Sequence, residues 1–181
     1  MYKLSGIIGL LLCFSILAGC SSDKVTSAEY GKAVNRTHMG ITSDGLKWDQ
    51  DRNAPSFEDT LKQMPFKVKQ IRLPFPPTQT AASIIEAPFD MIQLTYADLE
   101  NGRQLILVES NSQDTSKPKG KSGPKLRNGT PTWIQSDSHT SALYWREDGL
   151  TYLLMSNQVN DKDFIPLFSP KDLALIASTI Q

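Results

Sequence analysis

The feature that constrains this chain most is a short apolar run near its first residue that ends in a cysteine. Lys3 supplies a positive charge, residues 7–17 are mostly apolar, and Leu-Ala-Gly directly precedes Cys20. A positive start, an apolar stretch and small residues before a cleavage site are typical of an export signal. The run is shorter than the roughly 20 residues that a helix needs to cross a bilayer. The pattern predicts that residues 1–19 are a signal peptide.

The Leu-Ala-Gly sequence before Cys20 resembles the signal of bacterial lipoproteins. In that class the cysteine thiol accepts a diacylglycerol, and cleavage then makes the cysteine the new N-terminus. The resemblance implies lipidation at Cys20 and a mature chain held at the extracytoplasmic face of the cell membrane. An ordinary secretory signal and an uncleaved anchor are the two alternatives for the same residues.

The supply of cysteine and charge limits what the mature chain can do. Cleavage after residue 19 would leave 162 of the 181 residues, which is enough for one domain with a core and a tether. Cys13 would leave with the signal and Cys20 would carry lipid, so no thiol would remain for a disulfide, a metal site or a nucleophile. The 19 basic and 19 acidic residues cancel, so no overall positive field favours nucleic acid.

Polar residues dominate residues 21–55, and this composition predicts a flexible tether over residues 20–55. Folded structure is expected to begin near Ser56, whose side chain can cap a helix that runs to about Met64. The alternation of apolar and polar residues over 66–73 predicts a half-buried strand. Three prolines follow directly, and they predict that the chain then leaves the sheet.

Further along the chain, apolar runs over 83–87, 91–96 and 104–109 predict three strands. The last two are joined through Asn101-Gly102, a dipeptide that accepts the positive φ angles of a tight hairpin. A short strand is expected over 132–135, and a polar turn over 136–141.

The clearest hairpin turns at Asp148-Gly149. The side chains of this hairpin that should line the core are Leu143, Trp145, Leu150, Tyr152 and Leu154. After it, Ser169 and Pro170 predict the start of a capped helix. The helix should cover the sheet with one apolar face made of Leu173, Ile176, Ala177 and Ile180. The sequence therefore predicts a single α+β domain over 56–181, with an antiparallel sheet of about five to seven strands and a C-terminal helix packed on one face.

A basic loop over residues 111–129 interrupts the predicted strands. Its charged residues are Asp114, Lys117, Lys119, Lys121, Lys125 and Arg127. Outside a membrane such a loop would be attracted to anionic lipid head groups or to a wall polymer. A solvated, mobile insertion whose lysines keep it soluble explains the same composition, and the composition favours that interpretation.

Motifs for catalysis, metals and phosphate are sparse. The chain has two histidines, His38 and His139, and no Gly-x-Ser-x-Gly elbow, Walker sequence or Gly-x-Gly-x-x-Gly. The run Ser-Asp-Ser-His-Thr-Ser at 136–141 contains the residue types of a hydrolase triad, but a triad is built from distant segments, so the spacing favours a polar turn between two strands. We therefore expect no catalytic residue, metal or cofactor. A pair of acids for hydrolysis stays open, because only distance in space defines such a pair. The acids concerned are Glu86, Asp90, Glu109 and Glu147.

Four aromatic side chains lie close together along the last strands, and their faces could bind sugar or lipid. They are Trp133, Tyr144, Trp145 and Tyr152. Alternating aromatics on strands are more often part of a core. Tyr144 has the opposite parity to Trp145, so it is the aromatic that we expect to be exposed.

The spacing Trp145-x-x-x-Gly149-x-x-Tyr152 and the order of the elements around it resemble a family of uncharacterised domains. These domains are found in exported lipoproteins and at the outer ends of membrane-anchored, anti-sigma-like proteins of Gram-positive bacteria. The Pro65-Phe66 start, Leu94-Thr95-Tyr96 and the closing helix add to the likeness. Gln79-Thr80 departs from the family's usual Gly-Tyr. The resemblance implies an α+β fold and no enzymatic activity.

The sequence thus predicts a membrane-anchored exported lipoprotein whose domain is a non-catalytic binding or scaffolding module at the cell envelope. The expected partners are the membrane, through the lipid, and an envelope protein or an anionic polymer, and not nucleic acid. The residues expected to bind are Lys117, Lys119, Lys121, Lys125, Arg127 and Tyr144. One alternative is a lipid or lipoprotein carrier with an apolar cavity under the sheet. The other is an envelope hydrolase with two close carboxylates.

Overall fold

The computed structural model describes residues 37–42, 45–50, 53–114, 116, 118 and 120–181. The signal peptide predicted over 1–19, the lipidation site at Cys20 and the first part of the tether lie outside these residues. The helices are α1 (Phe57–Leu61) and α2 (Pro170–Ala177). The strands are β1 (Thr37–Thr42), β2 (Gly45–Gln50), β3 (Gln79–Ile85), β4 (Met91–Asp98), β5 (Arg103–Ser110), β6 (Lys121–Ser122), β7 (Thr132–Ile134), β8 (Ser141–Glu147), β9 (Leu150–Asn160) and β10 (Asp163–Pro166).

The main sheet is antiparallel throughout and has eight strands. Seven of them follow the order β3-β4-β5-β9-β8-β7-β6, and β10 pairs with the last four residues of β9. The predicted α+β class, with an antiparallel sheet and a C-terminal helix, is confirmed. The strand number exceeds the predicted range because β6 has only two residues and β10 only four, too few for alternation to show in the sequence.

Short turns fix the register of the β4–β5 and β8–β9 hairpins. Between β4 and β5, Gly102 of the predicted Asn101-Gly102 dipeptide has φ 61°. Between β8 and β9, Asp148 and Gly149 have φ 52° and 76°, and two consecutive positive φ angles give the turn whose twist matches that of the strands. This turn pairs Glu147 with Leu150 and sets the parity of both strands.

One face of the sheet, the covered face, carries the main core. The predicted hairpin residues Leu143, Trp145, Tyr152 and Leu154 are all fully buried there, and Leu150 packs at the margin. The helix α2 begins as predicted: Ser169 and Asp172 form a reciprocal capping box, with Pro170 at the first helical position. The α2 side chains that pack on this face are Leu173, Ala174, Ile176 and Ala177, with Ile180 half-buried beside them.

The segment over 66–73 is not a strand, and that prediction was wrong. Residues 66–77, here called the strap, lie across the covered face, with Ile71 and Phe75 buried in the core. The backbone of Gln70 exchanges two hydrogen bonds of 3.1 Å with Gln181, and Arg72 N–H donates to Thr179 Oγ1 at 2.9 Å. The alternation of apolar and polar residues therefore predicted correctly that one side of this segment is buried. The strap does not form a strand, because its hydrogen-bond partners are the backbone of Gln181 and single side chains and not the backbone of a neighbouring strand.

Regular structure also begins earlier than predicted. β1 and β2 form a separate two-stranded antiparallel sheet, with Thr37 opposite Gln50 and Thr42 opposite Gly45. This hairpin lies inside the range 20–55 that composition assigns to a flexible tether, so the start near Ser56 is corrected. The two strands alternate apolar and polar residues, with Met39 opposite Trp48 and Ile41 opposite Leu46, but the polar composition of the whole stretch concealed this short pattern. The helix capped by Ser56 is present as α1.

The basic loop over 111–129 is only partly an open loop. Its second half packs against the domain: Leu126 is 4% exposed, Gly123 N–H donates to Thr132 O at 2.8 Å, and Thr132 Oγ1 donates to Pro124 O at 2.6 Å. The picture of a mobile insertion therefore does not hold for residues 120–129. One buried leucine among many polar residues was too weak a signal in the sequence.

Gly123 tests this packing. A Cβ on Gly123 would overlap Thr132 Oγ1 and come within 3.1 Å of Leu143 Cδ1. We expect Gly123→Ala to lower the free energy of unfolding by about 1–3 kcal/mol, because overpacking outweighs the entropy that alanine removes from the unfolded chain. Denaturant unfolding measures the change. Ser122→Ala, an exposed neighbour, is the control, and equal stability of G123A and the wild type would contradict the described packing.

Candidate ligand-binding face

The other face of the sheet, here called the open face, carries side chains of opposite parity to the core. Both α1 and α2, the helices of the described residues, pack on the covered face. On the open face near the β8–β9 turn, half-buried side chains from neighbouring strands lie side by side. They are Met91 on β4, Val108 on β5, Leu153 on β9 and Tyr144 with Arg146 on β8.

Two adjoining clefts occupy this end of the open face. The larger, of about 830 Å³, lies between strands β7 and β8 and the described residues of the basic loop, among them Asp114 and Ser116, and Tyr144 and Arg146 line it. The smaller, of about 240 Å³, is lined mainly by apolar side chains. Those side chains are Phe89, Met91, Val108 and Leu153. Asp114, Gln135 and Tyr144 line both clefts, so the two adjoin each other.

Tyr144 lies at the centre of this arrangement. Trp133 packs edge-on against its ring, with 6.0 Å between the centroids, because β7 pairs the two residues directly. Arg146 Nε donates to Tyr144 Oη at 2.7 Å, and the guanidinium carbon lies 5.5 Å from the ring centroid. These contacts hold a planar cation alongside an aromatic ring, where it can serve as part of a binding surface.

Asp114 is the acidic residue among the described residues that line the clefts. The Ser116 backbone N–H donates to Asp114 Oδ1 at 2.8 Å and holds the pKa of this carboxyl below its ordinary value, with a smaller contribution from the charge of Arg146. Asp114 is therefore ionised at neutral pH. The Asp114 carboxylate accepts a hydrogen bond from Ser116 of its own loop. Among the residues that the structure describes, no carboxylate lies within 4 Å of the Arg146 guanidinium.

The structure divides the predicted basic residues. Lys121 lies at the edge of the larger cleft, but β6 pairs it with Ile134, which lies opposite Leu143, so its side chain has the parity of the covered face and not that of Tyr144. Lys125 and Arg127 are exposed elsewhere: the Arg127 backbone N–H donates to Ser178 Oγ at the end of α2, on the covered side. Lys117 and Lys119 lie outside the described residues. The described cations of the loop therefore do not form one patch.

The aromatic predictions have a mixed outcome. Trp145 and Tyr152 stack in the core at 5.0 Å with 9° between their planes, as expected. Tyr144 is on the open face but half-buried, because Trp133 and Arg146 flank it. Trp133, which was expected in the core, is a half-buried neighbour of Tyr144. Its pairing with Tyr144 across β7 and β8 gives it the open-face parity.

The run at 136–141 is a polar turn, as predicted. Asp137 Oδ1 accepts from the backbone N–H groups of His139 and Thr140, at 2.8 and 2.7 Å. These bonds, that of His139 first, lower the pKa of Asp137. The His139 ring contacts Phe164 O and Asp163 rather than a serine of the run. Across the described ranges, no three acidic or histidine side chains are grouped to hold a metal ion, and no helix is long and apolar enough to span a bilayer.

A buried carboxyl lies on the covered face, opposite the clefts. Glu109 is 0% exposed and lies beside Tyr152 and Ile92 on the neighbouring strands. Lys69 of the strap donates its backbone N–H to Glu109 Oε2 at 3.1 Å, and Lys69 Nζ pairs with Asp148 at 2.7 Å. Within the described residues, Glu109 Oε1 and the hydroxyls of Tyr96 and Tyr152 make no hydrogen bond.

Burial governs the titration of this cluster. Loss of solvation raises the pKa of Glu109 to about 7, although the Lys69 hydrogen bond and charge act in the opposite direction. Burial also raises the pKa of Tyr96 and Tyr152, and the charge of Glu109 raises both further. Glu109 was one of four acids that the sequence left open. Its parity with Leu105 and Leu107 was the signal that it points into the core.

Sequence reasoning did not single out Arg146 or Asp114. Arg146 could have been found, because it is two residues from Tyr144 on the same strand and so shares its face. Asp114 lies in a loop, and its position over the sheet depends on a path that no local pattern encodes.

Glu109 predicts a specific pH dependence of stability. Its folded-state pKa lies above the ordinary 4.5, so the folded protein binds the proton more tightly than the unfolded chain does. The contribution of this carboxyl is fully present below pH 4.5 and is lost as the pH rises through 7, by about 3 kcal/mol in total. Denaturant unfolding at a series of pH values should therefore show stability falling relative to Glu109→Gln over this interval. Glu86→Gln, at an exposed site, should follow the wild type, and parallel curves for E109Q and the wild type would refute the assignment.

Comparison of the chain with protein-family models, with curated proteins and with solved structures finds no match. The resemblance to domains of exported lipoproteins therefore stays a prediction from the sequence. What the chain does is argued below from its own residues.

Proposed function

We propose that this chain is an exported lipoprotein, anchored through Cys20 at the extracytoplasmic face of the cell membrane, and that its α+β domain is a non-catalytic binding module. The observation that supports it most is the division of the sheet into two unlike faces. α1, the strap and α2 all pack on one face, while the other bears two adjoining clefts around Tyr144. Clefts with apolar walls and a few polar groups are typical of ligand sites.

The carrier alternative places its cavity between the sheet and the covering helix. The residues at that position are tightly packed: Leu94, Leu107, Leu154 and Leu173 are all fully buried in one cluster. Both clefts lie on the opposite side of the sheet. A ligand bound by this domain would therefore lie on the open face, in contact with solvent on one side.

The hydrolase alternative requires two carboxylates that face one bond. The buried acid with a raised pKa, Glu109, points to the covered face, while Asp114, with a lowered pKa, lines the clefts of the open face. The sheet separates these two groups, so they cannot act as acid and base on one substrate. This geometry favours binding over turnover.

The anchor is testable through the two cysteines of the sequence. In cells, the wild-type chain should incorporate a fatty-acid label and lose its first 19 residues, because the thiol of Cys20 carries the lipid. Cys20→Ser should incorporate no label and keep Met1, as mass spectrometry of the recovered chain will show. Cys13→Ser is the matched control and should be labelled like the wild type. Labelling of C20S at the wild-type level would remove the anchor from the proposal.

The binding face is testable by position-specific crosslinking in the tethered protein. A photoreactive residue in place of Tyr144 should capture an envelope component, and one in place of Leu153 should capture the same component, because both line the smaller cleft. The control position is Leu175, which is 46% exposed on α2. Capture from Leu175 alone, or equally from all three positions, would show that the open face is not the binding surface.

A further inference from the structure

We propose that the β1–β2 hairpin is a releasable cover on the β3–β4 end of the open face, and that it opens while the core of the domain stays folded. The inference goes beyond the proposed function and does not depend on it. Three observations carry it: buried side chains on an outward-facing part of the sheet, a buried side on the hairpin, and the short length of chain between the hairpin and α1.

The first observation is a group of small, buried side chains on the open face, here called the β3–β4 strip. It consists of Ala81 on β3 with Thr95 and Ala97 on β4. Ala97 is 0% exposed and Ala81 is 2% exposed, yet neither belongs to the core cluster. β3 is an edge strand, so Ala81 has a neighbouring strand on one side only. Side chains this small on an outward face are buried only when another segment lies over them.

The burial continues onto the next two strands, where it includes polar groups. Ala97 pairs with Gln104 on β5, and Gln104 pairs with Asn157 on β9, so the three residues form a row across the sheet. Gln104 and Asn157 are both more than nine-tenths buried. Within the part of the chain that the structure describes, Gln104 Oε1 and Asn157 Oδ1 accept no hydrogen bond. On an uncovered face water would solvate both oxygens, so the cover reaches β5 and β9 and its closure costs their solvation.

The second observation is that the hairpin has one buried side. Leu46 is 8% exposed and Trp48 Nε1 is buried, whereas Lys47 and Asp49 are exposed. Alternation along β2 places Leu46 and Trp48 on the same side. Two strands alone do not bury a leucine, and Leu46 is not part of the core cluster on the covered face. This side of the hairpin therefore packs on a different surface of the domain.

The third observation, the length of the link, places the hairpin at the β3–β4 strip. β2 ends at Gln50 and α1 begins at Phe57, so the chain between them spans at most about 25 Å. α1 lies beside the edge strand β3, and Phe57 contacts Tyr96 of β4 with 6.1 Å between the ring centroids. Tyr96 directly precedes Ala97, which lies on the other face of the sheet. A hairpin so close to α1 reaches the open face around the β3 edge, where the strip lies.

The cover is held less firmly than the core. An isolated two-stranded hairpin is only marginally stable, so β1–β2 depends on its contact with the sheet. The buried groups of the hairpin and of the row beneath it include three polar atoms that, among the described residues, have no hydrogen-bond partner. These atoms are Trp48 Nε1, Gln104 Oε1 and Asn157 Oδ1. Release returns all three to water and removes the apolar contact of only a few side chains, which is the condition for local opening without unfolding of the domain.

Release would lengthen the exposed part of the open face. The strip residue Thr95 pairs with Ile106 on β5, and Ile106 shares its face with Val108, which lines the smaller cleft. Ile106 pairs in turn with Met155 on β9, and both are half-buried. These two side chains connect the strip to the wall of the smaller cleft. The hairpin therefore controls access to the part of the open face that adjoins the clefts.

The test is thiol labelling of the chain from residue 20 with Cys20→Ser, which has no other cysteine and contains every described residue. Ala81→Cys places a thiol under the proposed cover. Ala82→Cys, the matched control, places one at the next residue of the same strand, which is buried in the core cluster. With iodoacetamide in excess, we expect A81C to be labelled at least tenfold faster than A82C and at least tenfold more slowly than the same chain unfolded in denaturant.

Substitutions in the hairpin identify the cover. Trp48→Ala should speed labelling of A81C at least tenfold and leave that of A82C within twofold, because it removes a large side chain from the buried side of the hairpin. Lys47→Ala, on the exposed side of the same strand, is the control and should change neither rate. Thermal unfolding verifies that each variant is folded, and Leu46→Ala carries the test if W48A is not.

Four results would overturn the proposal. Equal labelling of A81C and A82C would show that the strip opens only with the core, and labelling of A81C at the rate of the unfolded chain would show that nothing covers it. An unchanged rate of A81C in W48A would show that the hairpin is not the cover. Equal acceleration of A81C and A82C would show that Trp48 stabilises the whole domain. None of these results affects capture from Tyr144 and Leu153, so the proposed function is judged separately.

Discussion

The interaction on which the rest of the structure depends is the apolar contact between one face of the sheet and three short covering segments. α1 has five residues, α2 has eight, and the strap between them has no ladder of its own. Both cysteines of the chain precede the described residues, so no disulfide supports this contact. The segments are stabilised by the side chains they bury in a common cluster and by capping and cross-segment hydrogen bonds, such as the pair between Gln70 and Gln181. Because α1, the strap and α2 all pack on one face of the sheet, none of the three covers the opposite face.

Glu109 shows that this core is not uniformly apolar. A carboxyl at a fully buried strand position costs free energy when it is charged, and its strap partner Lys69 offsets only part of that cost. The same residue links three elements: β5, the strap through the Lys69 amide, and β9 through the neighbouring Tyr152. Lys69 also pairs with Asp148 in the β8–β9 turn. The contacts of Lys69 with Glu109 and Asp148 therefore fix where the strap lies along the sheet. Apolar packing alone would allow the strap to shift along the sheet. We regard this as the structural reason for an acid in the core.

The elements that the sequence predicts well are those whose information is local. Asp148-Gly149 determines both the turn and the parity of β8 and β9, and Ser169 with Asp172 determines the start of α2. The strap shows the limit, since alternation over 66–73 reports which side chains are buried but not whether another strand lies alongside. β1 and β2 do alternate, with Met39 and Ile41 opposite Trp48 and Leu46, but the alternation is short and lies within a polar stretch, so composition over 20–55 concealed it. For the clefts, Tyr144 and its parity were accessible from the sequence. The approach of Asp114 and Lys121 was not, because it depends on the path of the loop over the sheet.

The division of the sheet also explains why residues that line the clefts and residues of the core can lie next to each other in sequence. On β8, Leu143 and Trp145 point into the core while Tyr144 and Arg146 face the clefts. Consecutive positions of this strand therefore contribute alternately to core packing and to the cleft lining. A change of one residue in register would exchange these sets and would lose the core and the clefts together. The β8–β9 turn thus determines the position of Arg146 as well as the packing of Trp145. Because the clefts are built on strands whose other face packs in the core, the positions of Tyr144 and Arg146 are as rigid as the core behind them.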